Sequence, residues 1–198
     1  MRLVDRKASL TVVLLLLLFL GNAAAVENGL KDALYDTGQL KPVDSTLKVA
    51  PGQAAPDFTL PAISGKEVTL SSLRGRNVVI SFVPAAWTPV CSDQWPGYGI
   101  SRHFFDDNEA VLLGITVDNI PTLHAWVRQM GNIWFEVLSD FWPHGEVASA
   151  YGLLRTDGTS ERALVFIDRQ GIISDIYVSD INVRPPLEYI VTQLRSMK

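Results

Sequence analysis

Val78-Val79-Ile80-Ser81-Phe82-Val83 runs straight into Pro84-Ala85-Ala86-Trp87-Thr88-Pro89-Val90-Cys91. The first stretch is apolar and rich in β-branched residues, the composition of a central strand covered on both faces. The second carries two prolines and delivers the cysteine to the start of a helical stretch, so Cys91 belongs at a strand-to-helix junction. Val111–Val117 reads as another central strand, and Cys91–Asp107 must hold the helix between the two, kinked early by Pro96, Gly97 and Gly99. Pro121 opens a helix whose Leu123, Trp126, Val127 and Met130 recur at i, i+3, i+4 and i+7, and which ends near Gly131. Then come a short strand at Phe135–Leu138, a helix at Glu146–Tyr151, and Ala163–Ile167 with Ile172–Val178, whose connection Asp168-Arg169-Gln170-Gly171 predicts a β-hairpin. Pro185-Pro186 start a last helix with Leu187, Ile190, Val191 and Leu194 on one face. The order β-α-β-α-β-α-β-β-α implies an α/β fold, a mixed central sheet with helices on both faces.

The rest of the chain bounds what surrounds this core. At 198 residues, 47% of them hydrophobic and 19% charged, the chain suits one well-cored domain. Its net charge of -4 argues against a phosphate-coating surface and hence against nucleic acid as a partner. A single cysteine excludes a disulfide within the chain and a thiolate zinc cluster. Arg2, Arg6 and Lys7 precede the apolar run Leu10–Leu20 and the small residues Ala23-Ala24-Ala25, the three parts of a signal peptide over residues 1–25. The expectation is an exported, periplasmic or extracytoplasmic protein; an uncleaved membrane anchor is the competing reading. Residues 26–54 lack an apolar period and read as a linker or N-terminal arm on the surface of a domain at 55–198.

The chemistry lies at Cys91. Backbone N–H groups and the positive end of the dipole at a helix N-terminus favour the thiolate, the reactive form of cysteine. Pro84-x-x-x-Thr88-x-x-Cys91 resembles the P-x-x-x-T-x-x-C motif of the peroxiredoxins, thiol peroxidases of the alkyl hydroperoxide reductase and thiol-specific antioxidant superfamily. Ala55-Pro56-Asp57-Phe58-Thr59-Leu60 resembles the family's opening. Arg162-Ala163-Leu164-Val165-Phe166-Ile167-Asp168 resembles its late strand, and Ser139–Gly145 is similar to a stretch of the one-cysteine, alkyl hydroperoxide reductase E type. The resemblance covers about residues 54–195 and implies a thioredoxin-like fold.

It also implies roles. Cys91 is expected as the peroxidatic nucleophile, which a peroxide converts to sulfenic acid. Thr88 would bridge thiolate and peroxide through its hydroxyl, and Arg162 would stabilise thiolate and departing oxygen. Pro84 would shield the pocket, the N–H groups of Val90 and Cys91 would form a peroxide-sized nest, and Trp87 with Pro89 would supply an apolar lip. Where many relatives carry glutamate, this chain has Gln94, a neutral amide that leaves more of the positive field of Arg162 for the thiolate. Trp142, in Phe141-Trp142-Pro143, is expected to line the pocket or a dimer contact, or simply to pack. Without a second cysteine the sulfenic acid needs an external thiol, from a thioredoxin-like protein or a small molecule, and the resemblance implies a homodimer. His103, His124 and His144 lack ligand spacing, and no metal or cofactor is expected. Two other classes remain open at this point. An exported thioredoxin-like thiol-disulfide protein needs Cys-x-x-Cys, where Cys91-Ser92-Asp93-Gln94 stands. A non-catalytic binding module lacks the second cysteine of copper carriers.

Overall fold

The computed structural model describes residues 29–131 and 133–197; the leader expected at residues 1–25 lies outside them. Residues 29–33 form one helical turn in a unit that ends at Leu34, and a second unit begins at Tyr35. Among the described residues no helix is long and apolar enough to cross a membrane.

The second unit is built from strands β1 (Thr59–Pro61), β2 (Glu67–Thr69), β3 (Asn77–Phe82), β4 (Ala110–Thr116), β5 (Glu136–Ser139), β6 (Ala163–Ile167) and β7 (Ile173–Val178). Its helices are α1 (Pro89–Gly97), α2 (Arg102–Asp107), α3 (Ile120–Met130), α4 (Glu146–Tyr151) and α5 (Leu187–Ser196). The main sheet has the order β5-β4-β3-β6-β7. β3, β4 and β5 run parallel, while β6 is antiparallel to both β3 and β7, so the sheet is mixed. All six residues of β3 are buried, as a central strand requires.

Strand alternation assigns the helices to the two faces. Phe82 packs its ring 5.8 Å from that of Tyr151 in α4, whereas the preceding Ser81 accepts from Trp95 Nε1 of α1 at 3.2 Å. Gly114 pairs with Ser81 across β3 and β4. A Cβ there would stand 2.7 Å from Trp95 Cζ2, so the glycine gives the indole room to lie against the sheet and α1 settles close to it.

Two features depart from the sequence expectation. The single helix expected over Cys91–Asp107 is two helices, α1 and α2, separated by a 3-10 turn at Tyr98–Ser101. Pro96 can give no N–H to the turn before it, and Gly97 and Gly99 weaken the turn after it, so the break falls at their end of the segment. The antiparallel pair β1 and β2 was not expected. Its strands are three residues long and the first ends on Pro61, leaving too little alternation to read.

Candidate active site

β3 stops at Phe82, and the chain then turns through a loop fixed from several sides. Val83 N–H donates to the Ile115 carbonyl at 3.1 Å, and Ala86 N–H donates to Asp118 Oδ2 at 2.8 Å. Trp87 takes a left-handed backbone with φ 61, which is strained for a bulky side chain. Thr88 caps α1 in an extended conformation with Pro89 next to it, and the first helical bond is Ser92 N–H to the Thr88 carbonyl at 3.0 Å. Pro89 has no N–H, so the first-turn N–H groups of Val90 and Cys91 face outward with no acceptor in the helix.

Cys91 is fully buried on this first turn. Arg162, 2% exposed, lies just before β6 and reaches across the sheet to it. The guanidinium makes three bonds: Nε donates to the Ile181 carbonyl at 2.9 Å, Nη1 to Gln94 Oε1 at 2.6 Å, and Nη2 to Cys91 Sγ at 3.5 Å. Among the described residues no carboxylate stands within ion-pair distance of it. The guanidinium thus sets a buried positive charge beside Cys91 Sγ, with only neutral oxygens as its other partners.

Behind this pair lies a neutral network. Gln94 Nε2 donates to Tyr98 Oη at 2.7 Å and to Ser81 Oγ at 3.2 Å. Burial pushes the Tyr98 phenol up to about 12, so it stays protonated. Trp126 Nε1 donates to Ser92 Oγ at 2.9 Å, and the Trp95 and Trp126 rings lie 5.0 Å apart. One indole of the pair thus belongs to the cysteine helix and the other packs against it from α3.

Beside the pair opens a cavity of about 410 Å³, which Arg162 lines and the fully buried Cys91 does not. Pro84, Thr88, Val90 and Arg162 line it from the cysteine side, Ile181 and Asn182 from the loop after β7, and Asp36–Leu40 from the opposite wall. The structure therefore brings Cys91, Arg162 and Gln94 into one bonded set and places Pro84, Thr88 and Val90 in the cavity wall beside it. The Thr88 hydroxyl donates to the Ala85 carbonyl at 3.0 Å, which leaves its oxygen lone pairs as acceptors. Trp87 and Trp142 are not among the cavity-lining residues. Trp142 is 82% exposed in the turn before α4. Tyr98, Ser81, Ile181, Asn182 and residues 36–40 carried no sequence signal of this kind. Among the described residues no cluster of His, Cys, Asp and Glu could hold a metal ion.

The model of the AhpC/TSA family matches residues 51–176. Alkyl hydroperoxide reductase E of Mycobacterium bovis is 39% identical over 124 residues, covering 62% of this chain and 80% of the relative. Peroxiredoxin-2 of Cricetulus griseus is 34% identical over 142 residues, covering 67% and 71%. Among solved structures, the reduced 2-Cys peroxiredoxin of Plasmodium vivax superposes with a TM-score of 0.70 at 27% identity, covering 74% of this chain and 81% of that one. Mycobacterium tuberculosis AhpC, at 21% identity, superposes with a TM-score of 0.69 over 75% and 92%, a likeness of fold.

Proposed function

Since the chain belongs to the AhpC/TSA family and is a peroxiredoxin-type, thiol-dependent peroxidase, we propose that Cys91 is its peroxidatic cysteine and that it reduces hydrogen peroxide and organic hydroperoxides in a one-cysteine cycle. The observation that carries this reading is the 3.5 Å contact between Arg162 Nη2 and Cys91 Sγ, made by a guanidinium with no carboxylate partner among the described residues. The Cys91 thiolate attacks the terminal peroxide oxygen; the S–O bond forms, the O–O bond breaks, and sulfur loses two electrons. The product is sulfenic acid, and the alkoxide or hydroxide that departs takes a proton from water. Arg162 steadies the negative charge as it moves from sulfur to the departing oxygen. The N–H groups of Val90 and Cys91 and the lone pairs of Thr88 offer the peroxide a donor pair and an acceptor. Pro84 closes the site without adding a competing donor.

A first external thiol then condenses with the sulfenic acid, giving a mixed disulfide and water, and a second releases Cys91 as its disulfide forms. The single cysteine supports this assignment. Export, with the basic start, the apolar run and the Ala23-Ala24-Ala25 site in its support, would be read by amino-terminal sequencing of protein recovered outside the cytoplasm. Homodimer formation, supported by exposed Phe141 and Trp142, would be read by sedimentation. The test of the function itself is stopped-flow tryptophan fluorescence of the reduced protein mixed with peroxide, followed by mass spectrometry of Cys91. The expected result is a second-order phase that ends in sulfenic acid and is lost in Cys91→Ser. Oxidation no faster than that of a free thiol refutes it.

A further inference from the structure

The cavity lined by Arg162 and by Thr88, Pro89 and Val90 at the start of α1 is far larger than hydrogen peroxide needs. Two water-sized groups fill roughly 60 Å³, against about 410 Å³ here, a volume in the range of pockets for small organic molecules. What encloses the surplus is the arm. Tyr35 N–H donates to the carbonyl of strained Trp87 at 2.8 Å. Leu40 N–H donates to Asn182 Oδ1 and Asn182 Nδ2 returns a bond to the Leu40 carbonyl, both at 2.9 Å. Between these two anchors the span Asp36–Gln39 lines the cavity.

The arm is held further along by groups that have no other visible task. Glu161, fully buried, accepts from Asp44 N–H at 2.6 Å with one oxygen and from Arg155 Nη1 at 2.7 Å with the other. Arg155 Nη2 donates to the Lys41 carbonyl at 3.0 Å. Lys48 N–H donates to the Tyr151 carbonyl at 3.1 Å. Beside it, Gly152 lies so near the arm that a Cβ would meet Thr46 O at 2.3 Å. A segment tied down by a buried ion pair, an amide pair and a backbone-to-backbone approach is a fixed wall.

We propose that Asp36–Leu40 is a specificity-determining wall of the peroxide pocket, with Leu40, pinned by Asn182, as its deciding side chain: the wall makes the pocket a slot for the uncharged apolar substituent of a hydroperoxide. The inference rests on the peroxidase reading above. The apolar residues opposite the arm, Pro84, Val90 and Ile181, supply the other side of the slot. Leu40 acts on the substituent and leaves the O–O cleavage to Cys91 and Arg162, so it affects the choice between peroxides.

The test compares second-order rate constants for cumene hydroperoxide and hydrogen peroxide in wild type, Leu40→Ser, Leu40→Met and Asn182→Ala, with hydrogen exchange of residues 36–40 followed in each. The expected result is a fall of about tenfold or more in the cumene-to-hydrogen-peroxide ratio for Leu40→Ser and Asn182→Ala, and a ratio close to wild type in Leu40→Met, since one lost apolar contact in a pocket is worth roughly that factor. A ratio unchanged within twofold in Leu40→Ser, or in Asn182→Ala with residues 36–40 exchanging faster, overturns the wall while leaving the peroxidase standing. No fast phase with either peroxide in wild type overturns the peroxidase reading and the wall with it.

Discussion

Replacing Arg162 by methionine keeps most of the buried stem and removes the charge and all three donors. The bond from Nη2 to Cys91 Sγ, at 3.5 Å, is charge-assisted when sulfur is a thiolate, and such bonds contribute about 1.5–3 kcal/mol. At about 1.4 kcal/mol per tenfold, that converts to a loss of about 10- to 150-fold in the rate constant with peroxide. Arg162→Lys keeps a charge but offers one donor position where the guanidinium serves Ile181, Gln94 and Cys91 from three separate nitrogens. Its rate is expected between those of methionine and wild type.

The stability of the methionine variant is set by opposing effects. It leaves the Ile181 carbonyl and Gln94 Oε1 without their donor, at about 1–3 kcal/mol each, and removes a buried cation whose desolvation costs several kcal/mol. The expected net change is small, about 2 kcal/mol or less in either direction. Stopped-flow fluorescence reads the rate through Trp95, in the cysteine helix, and Trp126, which packs against it, and urea unfolding reads the stability. A methionine variant that reacts within threefold of wild type refutes the electrostatic role. One that is destabilised far beyond this range shows that the arginine serves mainly to hold the fold.

Three further outcomes are expected. Gln94→Glu, which sets a carboxylate against Arg162 Nη1 in place of the amide now 2.6 Å away, should slow the peroxide reaction by about tenfold because the guanidinium then shares its field with a second anion; a rate equal to or above wild type contradicts this. Gly152→Ala combines a φ of 73 with a Cβ 2.3 Å from Thr46 O, so it should cost about 1–3 kcal/mol for the backbone conformation alone and speed hydrogen exchange at residues 46–48, and normal exchange there would show that the arm does not depend on this approach. Asp44, whose carboxylate is held well below its ordinary value by Lys41 first and Thr156 next, fastens the arm only when ionised. A depressed native value means that this stability is full above the unfolded value of about 3.8 and fades as pH falls from there towards the much lower native value, so the arm should resist proteolysis at about pH 4 and lose that resistance progressively at more acid pH in wild type, while Asp44→Asn shows no such dependence.

Strands β3, β4 and β6 were legible because each is a run of mostly apolar residues, and the turn Asp168–Gly171 marked β7 as the hairpin partner of β6 in spite of its Ser174 and Asp175. Cys91 was legible as a helix-opening thiol for the same local reason: Pro84, Thr88 and Pro89 leave the segment little choice but to turn before it. The contact of Arg162 with Cys91 was not local. Seventy-odd residues separate them, and only the resemblance of two motifs joined them in advance. Gln94 was singled out as a lost charge, yet its amide keeps the bond to Arg162 and adds one to Tyr98, because an amide offers an acceptor and donors where a carboxylate offers acceptors alone.

The sequence marks residues 26–54 as a linker or surface arm because they lack an apolar period, and nothing local to Glu161 marks it as a group that holds that arm. At the entry to β6, neighbouring side chains point to opposite sides. Arg162 turns toward α1 and the thiol, and Glu161 turns toward Arg155 and the backbone of Asp44. The same division recurs at Ile181, whose carbonyl accepts from Arg162 Nε while its N–H donates to the Pro42 carbonyl at 3.0 Å. The Arg162 guanidinium and the arm are therefore fastened to the same two stretches of chain, one on each side. A change that frees the arm at Pro42 also loosens one of the three bonds that aim the guanidinium, whereas a change at Leu40 does not touch that carbonyl. This is why Leu40, and not deletion of the whole arm, separates the choice of peroxide from the chemistry at sulfur.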